Sequence, residues 1–195
     1  MKQTSRQAQK EQTQKTLLQA AYTVFCRQGI MAARMGDIAR EANVSHGTVF
    51  SHFATQEALI TEVVESYGRE IILDTHQLSE GAGGLAALLK AHVSSLSAYE
   101  PFYTRLLLEQ RLLPQAARDS FVAIQSALAL HFINAASREG VQSVPPASLF
   151  QLWIGLVHHY LMNGDLFAPE GHVLDRYGDA LVETYMTFLT GGKKA

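Results

Sequence analysis

The segment IAREANVSHGTVFSHF, Ile38 to Phe53, concentrates the residues of this chain whose types and spacing point to chemistry. Its apolar positions recur at helical spacing, yet Asn43 and Gly47 interrupt them where one long helix would be weakened. Both interruptions fit two short helices joined by a tight turn. After glycine, asparagine best tolerates the left-handed backbone such a turn requires, so Asn43 can occupy it. Ser45 can cap the following helix by accepting from an otherwise unpaired backbone N–H. Gly47 leaves backbone N–H groups uncovered, so an anion such as a DNA phosphate can approach closely. Ala39 lets the two helices cross at short distance, while Ile38, Val44, Val49 and Phe53 supply apolar contacts. The pattern is that of a helix-turn-helix, whose second helix enters a major groove.

Other chemistries find less support. His158 and His159 are adjacent, so on a helix they point about 100° apart and cannot chelate one metal as an i, i+4 pair would. No metal or other cofactor is expected. GAGG at Gly81 to Gly84 lacks the Lys-Ser/Thr ending and the preceding strand of a phosphate loop, and reads as a connection. Cys26, the single cysteine, excludes an internal disulfide and a thiolate cluster, and fits a core position in a reducing cytoplasm. Neither G-x-S-x-G nor HExxH occurs, and an enzyme is not expected.

The elements that must position these residues are helices. No alternating strand pattern of useful length is present, so the fold class is all-α. The periodicity predicts helices over about 14–28, 35–42, 46–53, 55–76, 85–97, 101–113, 115–138, 147–163 and 173–189, with Gly29 ending the first. The polar, basic start, MKQTSRQAQKEQTQK, reads as a flexible arm over residues 1–14 rather than a secretory signal. Residues 1–53 hold seven Lys and Arg against three Asp and Glu, a net +4, whereas the rest carries −6. A basic head on an acidic body suits a polyanion partner at one end. The charge-free stretch from Gly140 to Gly164 is broken by Pro145 and Pro146, and its apolar part, LFQLWIGLVHHYLM, is too short to span a membrane.

The last two long helices are apolar on two faces and so need two partners, their own core and a second subunit. Leu149, Leu152, Leu156 and His159 on one, with Leu181, Tyr185 and Phe188 on the other, are the candidate dimer contacts. Aromatic and amphipathic residues at His92, Tyr99, Phe102, Tyr103, Gln125, Phe132, Trp153 and Tyr160 could line a pocket for a mainly apolar molecule with few polar handles.

The run LLQAAYTVFCRQGIMAARMGDIAREANVSHGTVFSHFATQEALI resembles the DNA-binding domain of the tetracycline-repressor (TetR) family of transcriptional regulators. Its marks are the alanine-rich helix with Phe25, Gly29 at its end, VS-x-G-x-VF-x-HF and a final E-x-L, within about Thr16 to Val64. The resemblance implies a helix-turn-helix head at 15–54 and a helical effector-binding and dimerisation domain at 55–195. It further implies a homodimer that reads a palindromic operator on double-stranded DNA and is released by a small-molecule effector. By that likeness His46, Gly47, Thr48, Phe50, Ser51 and His52 form the groove-facing helix. Thr48 and the histidines can bond phosphates or base edges, and Phe50 can meet a thymine methyl. Phe50 stands where the family often has Tyr, Gln56 where a Lys usually approaches the backbone, and Arg34 where a capping Thr is usual. The competing reading is a helical small-molecule-binding or interaction protein whose head has lost its grip on DNA.

Overall fold

The structure, a computed structural model, describes residues 2–79, 83–140 and 145–191. Ten helices make up the described residues: α1 (Lys2–Gln28), α2 (Met35–Glu41), α3 (His46–His52), α4 (Gln56–Ser79), α5 (Gly84–Ala98), α6 (Glu100–Glu109), α7 (Gln115–Arg138), α8 (Pro146–Met162), α9 (Gly164–Phe167) and α10 (Val173–Leu189). They form two units, Met1–Ser66 with Leu108–Phe121 and Tyr67–Leu107 with Val122–Ala195.

The expected all-α class holds, but α1 begins far earlier than Gln14. Residues read as an arm extend the helix, because Gln, Lys, Glu, Arg and Ala are good helix formers even without an apolar stripe. The Gln7 amide donates to Glu11 at 2.8 Å across one turn, which supports the extension. The short α9 was also not expected. Gly81 and Ala82 of the GAGG connection lie outside the described residues, and Gly84 opens α5.

The core of the first unit draws on α1 through Leu17, Ala21, Val24 and Phe25, on α2 through Ile38, on α3 through Val49 and on α4 through Leu59 and Val63, all fully buried. Burying such side chains is worth roughly 1.5–3 kcal/mol each, which holds helices too short to be stable alone. In the second unit, α10 packs on α5 and α8. Gly178 permits the close approach to α5, since a Cβ there would run into the Val93 side chain.

Two carboxylates close helix ends in this unit. His172 offers α10 no side-chain cap; instead the buried Glu100 accepts from the Val173 and Leu174 N–H groups at 2.7 and 2.8 Å. Glu139 likewise accepts from the Leu85 N–H at the start of α5, at 2.6 Å. Anions at helix N-termini satisfy orphan donors and complement the dipole. Among the described residues one helix, α7, is long and apolar enough to cross a membrane by length and composition. Its buried residues recur at 117, 121, 124, 128, 132 and 136, the 3–4 spacing of a helix with one core-facing stripe.

Candidate nucleic-acid interface and ligand cavity

The turn between α2 and α3 is built as its residue types require. Asn43 has φ 53°, the only non-glycine in the left-handed region among the described residues. The Val44 N–H returns to the Ala39 carbonyl at 3.0 Å, closing the end of α2. Ser45 caps α3, its Oγ accepting from the Thr48 N–H at 3.1 Å and lying 2.8 Å from Thr48 Oγ1. Of the seven residues in α3 only Val49 is buried; His46, Gly47, Phe50 and Ser51 stand on the exposed side. Phe50 is 43 % exposed, with the His46 ring edge-on at 4.9 Å. The Ser51 hydroxyl donates to the Thr48 carbonyl at 2.7 Å. An adjacent apolar ring and imidazole, open to solvent on a capped helix, suit an edge carrying both methyl groups and acceptors.

One other candidate for the head is committed within the chain. Gln56 donates to the Ala33 carbonyl at 2.8 Å and is half-buried, so its amide fastens α4 to the loop before α2. Arg34 is exposed and provides no side-chain cap, because a guanidinium has no acceptor. Asp37 supplies the reciprocal half of a capping box, accepting from the Arg34 N–H at 3.2 Å. Its carboxyl lies below the usual carboxylate range, chiefly through the hydrogen bond from Gln28 and further through Arg34 and Arg40.

A residue of structural consequence that sequence reading did not single out is Glu109, at the end of α6. Its Oε1 accepts from the Ile30 N–H at 3.1 Å and its Oε2 from the Met31 N–H at 2.8 Å. Gly29, at φ +98°, turns those two donors outward, and a Cβ on it would lie 2.9 Å from Glu109 Oε1. Successive N–H groups after a left-handed residue form an anion-binding concavity, here filled by a side chain from the same unit. Nothing local in the sequence joins positions 79 residues apart.

The second unit contains a small cavity of about 10 Å³ lined by Thr75, Leu88, Leu89, His92, Leu128, Phe132, Phe150 and Trp153. Three expected pocket residues, His92, Phe132 and Trp153, thus come together. The others do not line it. Tyr99 donates to Glu70 at 2.8 Å; Phe102 packs against Tyr67; Tyr160 stacks on Phe167 at 4.2 Å. The Tyr103 hydroxyl lies 2.9 Å from His158 Nε2 and accepts from Gln125 at 3.3 Å. Burial pushes the Tyr103 phenol up and holds the His158 imidazole down at about 4. His92 is held at about 4, first by burial and then by the nearby His158, so it is neutral at pH 7. The Trp153 indole N–H donates to His92 Nδ1 at 3.1 Å, which leaves the imidazole proton on Nε2.

Of the candidate dimer contacts, Leu149, Leu181 and Tyr185 are core residues. Each is nearly or fully buried in its own unit, and the Tyr185 hydroxyl donates to the Leu149 carbonyl at 2.6 Å. They have no surface to offer a second copy. Helices with two apolar faces gave no means of telling which face turns inward. Leu152, His159 and Phe188 are exposed and Leu156 is partly so.

Residues 17–63 match the family model described as "Bacterial regulatory proteins, tetR family". An HTH-type transcriptional repressor of Mycobacterium tuberculosis, Rv3405c, is 36% identical over 62 residues, which are 32% of this chain and 33% of that protein. The HTH-type transcriptional regulator SrpR of Pseudomonas putida is 34% identical over 67 residues, 34% of this chain and 32% of that protein. The match therefore spans about a third of the length of these curated relatives. Solved structures extend the likeness in fold. The TetR family regulator PfmR of Thermus thermophilus superposes with a TM-score of 0.70 over 92% of this chain and 99% of its own, at 17% identity. FadR of Bacillus subtilis, in complex with stearoyl-CoA, does so with a TM-score of 0.74 over 92% and 99%, at 15% identity. Residues 17–63 are thus similar in sequence to the tetR family of bacterial regulatory proteins, and the helical architecture is similar in fold to the solved structures.

Proposed function

We propose that the protein is a cytoplasmic, ligand-responsive transcriptional repressor that binds a palindromic operator as a homodimer and is released by a small, mainly apolar effector. The observation that carries this reading is α3, a helix that buries only Val49 and turns His46, Gly47, Phe50 and Ser51 outward on a Ser45-capped turn. Such a helix gains little from its own fold and much from a groove. The net +4 of residues 1–53 supports attraction to a polyanion.

A dimer face is supported on α8. Its exposed residues Ser148, Leu152, Gly155, His159 and Met162 recur at steps of four and three, the seam spacing of paired helices. Gly155 has nothing within 4 Å of an added Cβ, so another helix can lie close there. Phe188 of α10, 61 % exposed, adds apolar surface. Release follows if the effector binds the DNA-incompetent state more tightly, and that difference in affinity limits the response.

Selection of random duplex DNA by the purified protein, followed by titration at two salt concentrations, tests the reading. The expected result is an enriched palindrome bound far more tightly than random DNA, with affinity falling as salt rises. Weak binding without sequence preference would overturn it. A second reading, a ligand-binding protein with a degraded head, is favoured by Gln56, whose amide is spent on Ala33. Gln56→Lys separates the two: a large gain in DNA affinity supports the degraded head, and little change supports the repressor.

A further inference from the structure

Serine and threonine hydroxyls in this chain's helices generally satisfy themselves. Thr13, Thr16, Thr23 and Thr61 each donate to the carbonyl four residues back, at 2.9 to 3.1 Å, and Ser120 and Ser126 do the same. Thr75 of α4 does not. Its Oγ1 is buried with no hydrogen-bond partner, and so is Nε2 of His92 on α5. Both residues line the same cavity, Thr75 2 % exposed and His92 4 %. Leaving such groups unpaired costs roughly 1–3 kcal/mol each, although a helical threonine has a partner one turn away.

The donor set is specific. Because Nδ1 of His92 already accepts from the Trp153 indole, Nε2 carries the proton and can only donate. The Thr75 hydroxyl provides a second donor. Leucine and phenylalanine side chains make up most of the remaining wall, and no Asp, Glu, Lys or Arg lines the cavity. An ionised guest would therefore be desolvated without a counter-charge.

We propose that this cavity binds a small, uncharged, mainly apolar molecule bearing a carbonyl-type oxygen, which accepts from His92 Nε2–H and the Thr75 hydroxyl. The inference rests on the effector reading above and names its chemical class. The four helices α4, α5, α7 and α8 each contribute to the wall, which stands close enough to admit little more than a water molecule undisplaced. A guest the size of a substituted benzene must part them, and so prefers the state in which they are parted.

Trp153, the only tryptophan, gives a single indole N–H resonance beside the site. The test is a titration of the full-length protein with acetophenone, ethylbenzene and benzoate, following that resonance in ¹⁵N-labelled protein. Acetophenone is expected to bind more tightly than ethylbenzene by about tenfold, the factor one net hydrogen bond of ~1.4 kcal/mol supplies. Benzoate is expected to bind more weakly than acetophenone. Thr75→Val, close in shape, should reduce the ketone preference severalfold, and His92→Phe should abolish it; if His92→Phe does not fold, the valine variant decides. Equal binding of acetophenone and ethylbenzene, tighter binding of benzoate, or no response to any of the three would overturn the proposal, the last outcome assigning the two donors to a buried water. No DNA is present in this titration. Ketone binding without operator selection would retain the cavity and remove the repressor reading, whereas operator selection without a Trp153 response would do the reverse.

Discussion

Replacing Glu109 with alanine removes both acceptors for the Ile30 and Met31 N–H groups at a single stroke. The two losses are unequal. Met31 is 40 % exposed, so water can replace the carboxylate at its N–H, whereas Ile30 is fully buried and its N–H is left without a partner. Hydrogen bonds to a charged group contribute about 1.5–3 kcal/mol and an orphaned buried donor costs a similar amount, so Glu109→Ala should destabilise the first unit by about 2–4 kcal/mol. Glu109→Gln keeps one acceptor but turns an amide N–H toward the second donor, and should cost about half as much. Urea denaturation gives the stability change, and amide hydrogen exchange localises it. Exchange at Ile30 should accelerate by more than exchange at buried amides of the α1 interior, such as Val24. A Glu109→Ala protein within about 0.5 kcal/mol of the parent, with the Ile30 amide still protected, would refute the assignment of Glu109 as the clamp on this loop.

Three further outcomes follow from named geometry. Asn43→Val forces a β-branched residue into φ 53° and should destabilise the protein by roughly 1–2 kcal/mol in thermal denaturation, whereas Asn43→Gly should be nearly neutral. Gly47→Ala should leave stability unchanged or raise it by up to about 1 kcal/mol, because an added Cβ meets only Ser45 Oγ at 3.8 Å. The same substitution should weaken DNA binding in a titration, and equal affinity would show that no close backbone approach occurs there. His92 and His158 are held neutral at about 4 by burial, against about 6.5 when unfolded. The unfolded chain therefore takes up protons first, so the stability these residues contribute is complete above about pH 6.5 and is lost as pH falls toward 4. At pH 5 the loss is on the order of 2 kcal/mol for His92, and a pH series of denaturation midpoints should flatten between pH 6.5 and 5 in a His92→Phe, His158→Phe variant.

What could be read from the sequence depended on how locally each feature is determined. The turn at Asn43, the cap at Ser45 and the termination at Gly29 are fixed by residues within four positions, and each takes the predicted form. The bounds of α7 and α10 fall where Pro114 and the polar stretch before Val173 set them. The early start of α1 escaped a reading based on apolar periodicity, since propensity alone writes its first turns. The carboxylate clamps at Glu100, Glu109 and Glu139 were illegible for a different reason: their partners lie 54 to 79 residues away. Periodicity shows that α8 and α10 have two apolar faces but not which face is inside, and so Leu149, Leu181 and Tyr185 could not be told from Leu152 and Phe188.

The treatment of polar groups separates the two ends of the chain in function. In the head, the Ser45, Thr48 and Ser51 hydroxyls and the Gln56 amide all find partners within the protein. What the head leaves unspent is an exposed helix face, suited to a large polar partner that brings its own acceptors and needs no cavity. In the second unit the arrangement is reversed. There Thr75 and His92 carry unanswered donors inside a mainly apolar wall. A buried donor without an acceptor favours any state in which an acceptor arrives, and the gain is larger where the surroundings exclude water. A guest at this site therefore has the means to stabilise one arrangement of α4, α5, α7 and α8 over another, which is the thermodynamic requirement for a ligand to act on a distant event.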